Sequence, residues 1–363
     1  MHYPTIFIPS ILYSDMMRRL IIISSSLSMR LNLTISRKYA TEASRPSTSL
    51  KVFNRHLKNL QRERAASYKD QSRQVDYLKD EVALRLVGRL HDIKRQFPHI
   101  LDFGANSCNI ARALTQKNPY SNPGDSLLST KILRITAAES SGKLLNRDAD
   151  LPFNKEIHLC REIIDMENLP YNPNSFDAVL SSMSMHWINE LPSVLSQINN
   201  ILKPDAPFLA AMLGGDTLFE LRTSLQLADQ ERRGGISPHI SPLADVRDMG
   251  GLLQKAGFKM LTVDVDDIIV DFPDTFSLMQ DLQAMGENNA IILREAGAIK
   301  RDVLLANEGI YKELYGNEDG TIPATFRMIY MIGWKEGPNQ AKPLPRGSAD
   351  INIKDILGGG SMA

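Results

Sequence analysis

Apolar residues along the chain follow two rhythms. Between 51 and 97 they recur every three to four positions, and Val75, Leu78, Val82, Leu86 and Leu90 form one stripe. That spacing predicts a helix with a single buried face, stopped by Pro98, which cannot donate into a helical ladder. The rhythm then changes to short apolar runs at 99–103, 132–138, 157–164, 176–181 and 207–212. Helical patterns separate them: Ile110, Ala111 and Leu114; Leu144 and Leu145; and the stretch 191–202. Strands alternating with helices imply βαβ units and a parallel sheet. The segment 116–125, rich in Asn, Pro, Ser and Gly, reads as a loop.

After Gly214-Gly215 the alternation stops. Thr217 and Glu220 have the spacing of a capping box, at the head of a helix carrying Leu218, Leu221, Leu225 and Leu227 and ended by Gly234-Gly235. A second helix is expected from about Pro242 to Ala256, with Gly257 as a left-handed cap. The runs 258–270 and 326–334 read as the last strands. The expected division is a leader over 1–39, a helical extension over 40–97, a core over 98–215, a helical cap over 216–257, strands and helices completing the sheet over 258–342, and a tail over 343–363.

Composition narrows the classes. With 363 residues and 43% hydrophobic positions, the chain can bury a large core. Lys+Arg and Asp+Glu are both 42. A balanced charge argues against a nucleic-acid binder, which needs surplus cations, and favours docking through protein contacts over docking on anionic lipid. Two cysteines, Cys108 and Cys160, exclude a disulfide framework and a cysteine-based zinc site. No uncharged apolar run reaches the ~18 residues of a membrane-spanning helix. The first 50 residues are different: Arg18, Arg19, Arg30, Arg37, Lys38 and Arg45 face only Asp15 and Glu42, among many serines. Basic, Ser-rich and acid-poor is the composition of a mitochondrial transit peptide, with cleavage expected near Ala40.

The chemistry begins at Leu101-Asp102-Phe103-Gly104-Ala105-Asn106-Ser107-Cys108, where a strand runs into a turn and a helix. Gly104 lets the backbone reverse and a ligand approach. Asn106 tolerates positive φ and can stand in for glycine. Such a turn places a ligand at the carboxyl edge of the first strand. Glu139 closes the second strand, where a carboxylate can accept from both ribose hydroxyls; it lies farther beyond Gly104 than the usual ~20 residues. The weaker alternative is a helix-start acid. Beyond the third strand come Asp165-Met166-Glu167-Asn168-Leu169-Pro170, then Asn174-Ser175-Phe176-Asp177-Ala178-Val179 and Ser181-Ser182-Met183-Ser184-Met185-His186-Trp187.

In this order and spacing the segments resemble the class I methyltransferases that bind S-adenosylmethionine. The resemblance implies an α/β, Rossmann-like, mostly parallel seven-stranded sheet with a helical N-terminal extension and a helical cap insertion. It implies that Asp102, Gly104 and Asn106 meet the methionine end of the cofactor, Glu139 the ribose, and Asp165 with Met166 the adenine, with Ser181 on strand four in the same site. Asn106 and Cys108 stand where that family usually has glycine. The stretches 214–222, 231–242 and 279–287, with Val52-Phe53-Asn54-Arg55 and Met331-Ile332-Gly333-Trp334-Lys335, are similar to the mitochondrial complex I assembly factor 5 family, described as arginine hydroxylases. A more distant likeness is to bacterial malonyl-carrier-protein methyltransferase. The resemblance implies residence on the matrix side of the inner membrane by peripheral association, complex I assembly intermediates as partners, and hydroxylation of an arginine in an iron–sulfur subunit. Two other readings stay open: methyl transfer to a carboxylate or protein side chain, and a non-catalytic assembly chaperone.

Candidate catalytic residues are His186, Trp187 and Asp216. Trp187 could stack on a guanidinium or simply be a core aromatic. Asp216 could pair bidentately with a substrate arginine or begin a helix. His186, His239 and Asp216 could converge at the cofactor edge, although no facial metal-ligand signature is evident. Cys108, at a helix start, would have a lowered thiol pKa; without a partner base it reads as a glycine replacement.

Overall fold

The computed structural model describes residues 51–117, 119, 128–293 and 297–340. The expected leader, most of the 116–125 loop and the tail from 343 lie outside the described residues. Three helices, α1 (Arg55–Ser67), α2 (Lys69–Gln74) and α3 (Tyr77–His91), precede β1 (Phe97–Phe103). The predicted stripe is buried: Leu78, Val82, Leu86 and Leu90 are at most 1% exposed. Each such side chain contributes about 1.5–3 kcal/mol by leaving water. Pro98 does not end a helix. The α3 helix already stops at His91, and Pro98 is the second residue of β1. It is tolerated because β4 pairs with β1 only from Ile100 onward, so the strand start has a free edge.

The alternation follows: α4 (Asn109–Thr115), β2 (Ile132–Glu139), α5 (Gly142–Asn146), β3 (Leu159–Ile163), β4 (Ala178–Ser182), α6 (Leu191–Ile201) and β5 (Pro207–Leu213). After β5 come α7 (Phe219–Arg233), α8 (Val246–Lys255), β6 (Phe258–Phe272), α9 (Thr275–Met285), α10 (Arg301–Tyr315) and β7 (Ile322–Lys335). They form one seven-stranded sheet in the order β3-β2-β1-β4-β5-β7-β6. Strands β1 to β5 pair in parallel, and β7 runs antiparallel between β5 and β6. The order reverses between β1 and β4, which opens a crevice beyond their carboxyl ends. One apolar layer joins α3, α4, α7 and α9 to one face of the sheet, and a second joins α6 and α8 to the other.

Thr217 and Glu220 do not form a capping box. The α7 helix starts after Leu218 at φ 53 without a side-chain cap. Thr217 instead exchanges hydrogen bonds with the Arg327 backbone, and Glu220 accepts from Thr325. Pairing with β7 has outcompeted the local cap. The α8 helix begins at Val246, capped by Asp245, four residues later than its sequence pattern suggested.

Candidate functional site

Strands β1, β2 and β3 end side by side, with Phe103 opposite Ala138 and Glu139 opposite Ile163. Their exits therefore bring Asp102, Glu139 and, two residues past β3, Asp165 to one edge of the sheet. The turn after β1 is left-handed at Gly104 (φ 72) and Asn106 (φ 52). A Cβ at Gly104 would lie 2.1 Å from Ser184 Oγ, so only glycine fits there. Asn106 takes the conformation expected of a glycine substitute. Its Nδ2 donates to Ser182 O at 2.9 Å and its backbone N–H to Glu139 Oε2 at 3.2 Å. Cys108 is also left-handed, at φ 64, as a replaced glycine would be. The expected acidification of its thiol is absent: burial pushes it up to about 12.

Asp102 is fully buried, and neither carboxylate oxygen has a hydrogen-bond partner. Burial, then the neighbouring Glu139 charge, pushes its carboxyl well above the ordinary range. Glu139 is equally buried, but its Oε1 accepts from Ser140 N at 2.7 Å and from Arg62 Nη1 at 3.1 Å. Asp165 accepts from Arg55, from Glu167 N at 3.0 Å and from Asn168 Nδ2 at 2.6 Å. Burial opposes its ionisation, but the Arg55 hydrogen bond prevails and holds its carboxyl below the usual value.

Helix α1 forms the opposite wall. Asn54 caps it, Asn189 Oδ1 accepts from the N–H groups of Val52 and Phe53, and Asn54 N donates to Ala290 O. Arg55, Lys58 and Arg62 are spaced to share one helix face. With Asp165, Met166 and Ser184 they line a cavity of about 400 Å³. Trp187 lines both this cavity and a second one of about 470 Å³, whose wall includes His186, His239, Glu287 and Leu218.

Glu287, a residue that the chain pattern did not single out, organises the junction. Its Oε2 accepts from Trp187 Nε1 at 2.6 Å and from His186 Nε2 at 3.2 Å. Burial alone would raise its carboxyl; the hydrogen bond from His186 and the charges of Lys79 and Lys58 overcome this and hold it well below the usual range. Burial lowers the His186 pKa, and its bond to Glu287 only partly opposes this. The imidazole is therefore neutral, with Nε2–H assigned as donor to Glu287, and its Nδ1 has no partner. Lys58 Nζ lies 3.4 Å from the centroid of the Trp187 ring, so the chain's own cation occupies the expected stacking position.

Comparisons with known proteins show the family. The methyltransferase domain family matches residues 101–210. The chain is 45% identical to "Arginine-hydroxylase NDUFAF5, mitochondrial" of Danio rerio, covering 89% of this chain and 94% of that one. It is 45% identical to the Homo sapiens protein of the same name, with 86% of each covered. The chain belongs to the mitochondrial NDUFAF5 arginine-hydroxylase family. It is also 31% identical to malonyl-(acyl-carrier protein) O-methyltransferase of Gallionella capsiferriformans, over 72% of this chain and 85% of that one.

Within this family the carboxyl edge of the sheet fits S-adenosylmethionine as cofactor. The orphaned Asp102 carboxylate suits a cationic amino group; Glu139 is already engaged by Arg62, Ser140 and the Asn106 N–H, and Asp102, Gly104, Asn106 and Glu139 line neither cavity. Ser181 is buried in β4 with an unpartnered Oγ and lines neither cavity; Ser184 is the serine at the wall. Asp216 is not brought to the site. It pairs with Arg327, which also holds Asp267, because the Gly214-Gly215 exit turns it towards β6 and β7. His186 and His239 line the same cavity, each paired with its own carboxylate, Glu287 and Asp229, while Asp216 is not among the residues of its wall. No three-residue metal-holding group occurs among the described residues. Three contributors were missed: Arg62, Lys58 and Glu287. The Arg55, Lys58 and Arg62 spacing was the available signal for the first two.

Proposed function

We propose that the protein is a mitochondrial assembly factor for respiratory complex I that hydroxylates an arginine of an iron–sulfur subunit, acting on the matrix side of the inner membrane by peripheral association. The observation that carries this reading is the cavity of about 470 Å³ with the ionised Glu287 in its wall, next to the cofactor pocket across Trp187. A guanidinium entering such a space meets a carboxylate and a neutral imidazole acceptor, the pairing that arginine's planar donors suit. His186, through the free Nδ1, is the residue placed to hold or accept a substrate proton. Trp187 stands in the wall of both cavities. Asp102, Glu139, Asp165 and Met166 would position S-adenosylmethionine, with Gly104 and Asn106 shaping the turn; its sulfonium would supply a methyl group, so hydroxylation draws its oxygen from a separate oxidant such as dioxygen, with a two-electron donor reducing the second oxygen atom to water. The described residues contain no helix long and apolar enough to cross a membrane.

A second reading, methyl transfer to a protein side chain or carboxylate, is favoured by the matched methyltransferase domain and the malonyl-carrier-protein relative. Mass spectrometry of the client subunit from cells with and without the protein separates them. An arginine heavier by ~16 Da supports hydroxylation, and ~14 Da supports methylation. An unmodified client in cells that contain the protein would refute both and leave an assembly chaperone.

A further inference from the structure

The cofactor pocket contains a cation whose donors are not used. Arg62 is 3% exposed and lines the cavity shared with Asp165 and Met166. Its Nη1 donates to Glu139, but its Nε and Nη2 have no hydrogen-bond partner. Burying guanidinium N–H groups unpaired is costly, so such groups mark a place where an acceptor belongs. The neighbouring cations are already committed. Lys58 Nζ donates to Gly286 O at 3.1 Å and to Asn288 O, and Lys79 Nζ donates to Met285 O at 2.9 Å, at the carboxyl end of α9. These bonds tie α1 and α3 to that helix end, where carbonyls favour cations. Arg62 is different, since its fork remains open on two nitrogens beside the ribose-side acid.

We propose that Arg62 holds the carboxylate of the cofactor's amino-acid end. S-adenosylmethionine carries one carboxylate, and a planar guanidinium recognises such a group through paired N–H donors. Asp102, across the turn at the end of β1, has two empty acceptors for the adjacent ammonium. The zwitterionic end of the ligand thus meets a donor fork from α1 and an acceptor from β1, while Glu139 between them keeps its Oε2 on the turn N–H. On this account α1 contributes part of the binding site, and Arg62 is a positioning residue that fixes where the sulfonium points.

The assignment rests on S-adenosylmethionine being the cofactor, and three ligands separate the two claims. The full chain is titrated calorimetrically with S-adenosylmethionine, with its decarboxylated analogue, which keeps the sulfonium and amine, and with 5′-methylthioadenosine, which lacks the amino-acid end. Wild type is expected to bind the decarboxylated analogue roughly 10- to 100-fold more weakly than S-adenosylmethionine, the scale of one charge-assisted hydrogen-bonded pair. Arg62→Met should lose the same factor towards S-adenosylmethionine, no longer distinguish those two ligands, and bind methylthioadenosine within about twofold of wild type. Arg62→Gln, which keeps a polar head for Glu139, replaces the Met variant if that one does not fold, with the same outcomes. Equal binding of the first two ligands by wild type overturns the role of Arg62 alone. So does a variant that weakens methylthioadenosine as much as S-adenosylmethionine, since Arg62 would then act through Glu139. Tighter binding of S-adenosylmethionine by the variant also overturns it, because Arg62 would be competing with the ribose. If wild type binds none of the three, the cofactor reading itself falls.

Discussion

Replacing Asp102 by Asn should make the cofactor-free protein more stable and a poorer binder. Asp102 is 0% exposed and both its oxygens lack partners. An unsatisfied buried polar group costs about 1–3 kcal/mol, and a carboxyl also resists ionisation there, at 1.36 kcal/mol for each unit that its pKa rises. Asparagine keeps the shape and cannot ionise. At neutral pH the substitution is expected to raise the unfolding free energy by about 1–2 kcal/mol and Tm by roughly 2–6 °C. The pH dependence has a definite sign. A raised folded-state pKa means that the neutral carboxyl's contribution is fully present below the ordinary carboxyl range. That contribution is lost as pH rises through the raised value. The advantage of Asn over Asp should therefore be smallest near pH ~4 and grow towards pH ~7. Urea unfolding and calorimetric scans without cofactor, repeated at each pH, measure it. The same variant should bind S-adenosylmethionine at least ~10-fold more weakly, because the acceptor for its ammonium has lost its charge. A variant that is no more stable at neutral pH, with a difference from wild type that does not change with pH, would refute the claim that Asp102 is an unpaid-for carboxylate.

Other substitutions probe the same edge. Glu287→Gln should destabilise by about 3–5 kcal/mol in urea unfolding, since it strands the buried Lys79 and Lys58. The wild-type contribution of Glu287 should be present above the ordinary carboxyl range and lost only as pH falls towards its depressed folded value. Gly104→Ala should cost about 2 kcal/mol or more, through positive φ and the clash with Ser184; adding Ser184→Gly should return the steric part and leave about 1 kcal/mol of backbone strain. Cys108→Gly should stabilise by about 1 kcal/mol at its left-handed φ, and the wild-type thiol should resist alkylation until the protein unfolds.

The sheet was legible because its signals are local. The run 207–212 is an uninterrupted apolar segment, as a strand buried on both faces must be, and 132–138 is apolar but for Arg134 and Thr136; they match β5 and β2 to within a residue or so. Asn106 was legible as a glycine substitute because backbone sterics act on single residues. The wall made by α1 was not. Its buried face carries Lys58 and Arg62 instead of leucines, so apolar periodicity passes over it. Asp216 and the Thr217–Glu220 pair misled because their partners, Arg327 and Thr325, lie on β7, over a hundred positions away. Glu287 likewise gains its role only from meeting His186 and Trp187 across the fold.

The joining of Phe53 to Ile291 and of Asn54 to Ala290 has a temporal side. A polypeptide that emerges amino end first, from a ribosome or through a translocation pore, presents α1 long before the segment on which α1 rests. The middle of the sheet is also incomplete until β7 slots between β5 and β6. The chamber can therefore close only in the last stages of synthesis or transit, and a nascent chain cannot be rescued by its small-molecule ligand before then. Premature stops within the final strand should leave a β5 edge open to aggregation, so late truncations are expected to be as damaging as changes at the catalytic edge.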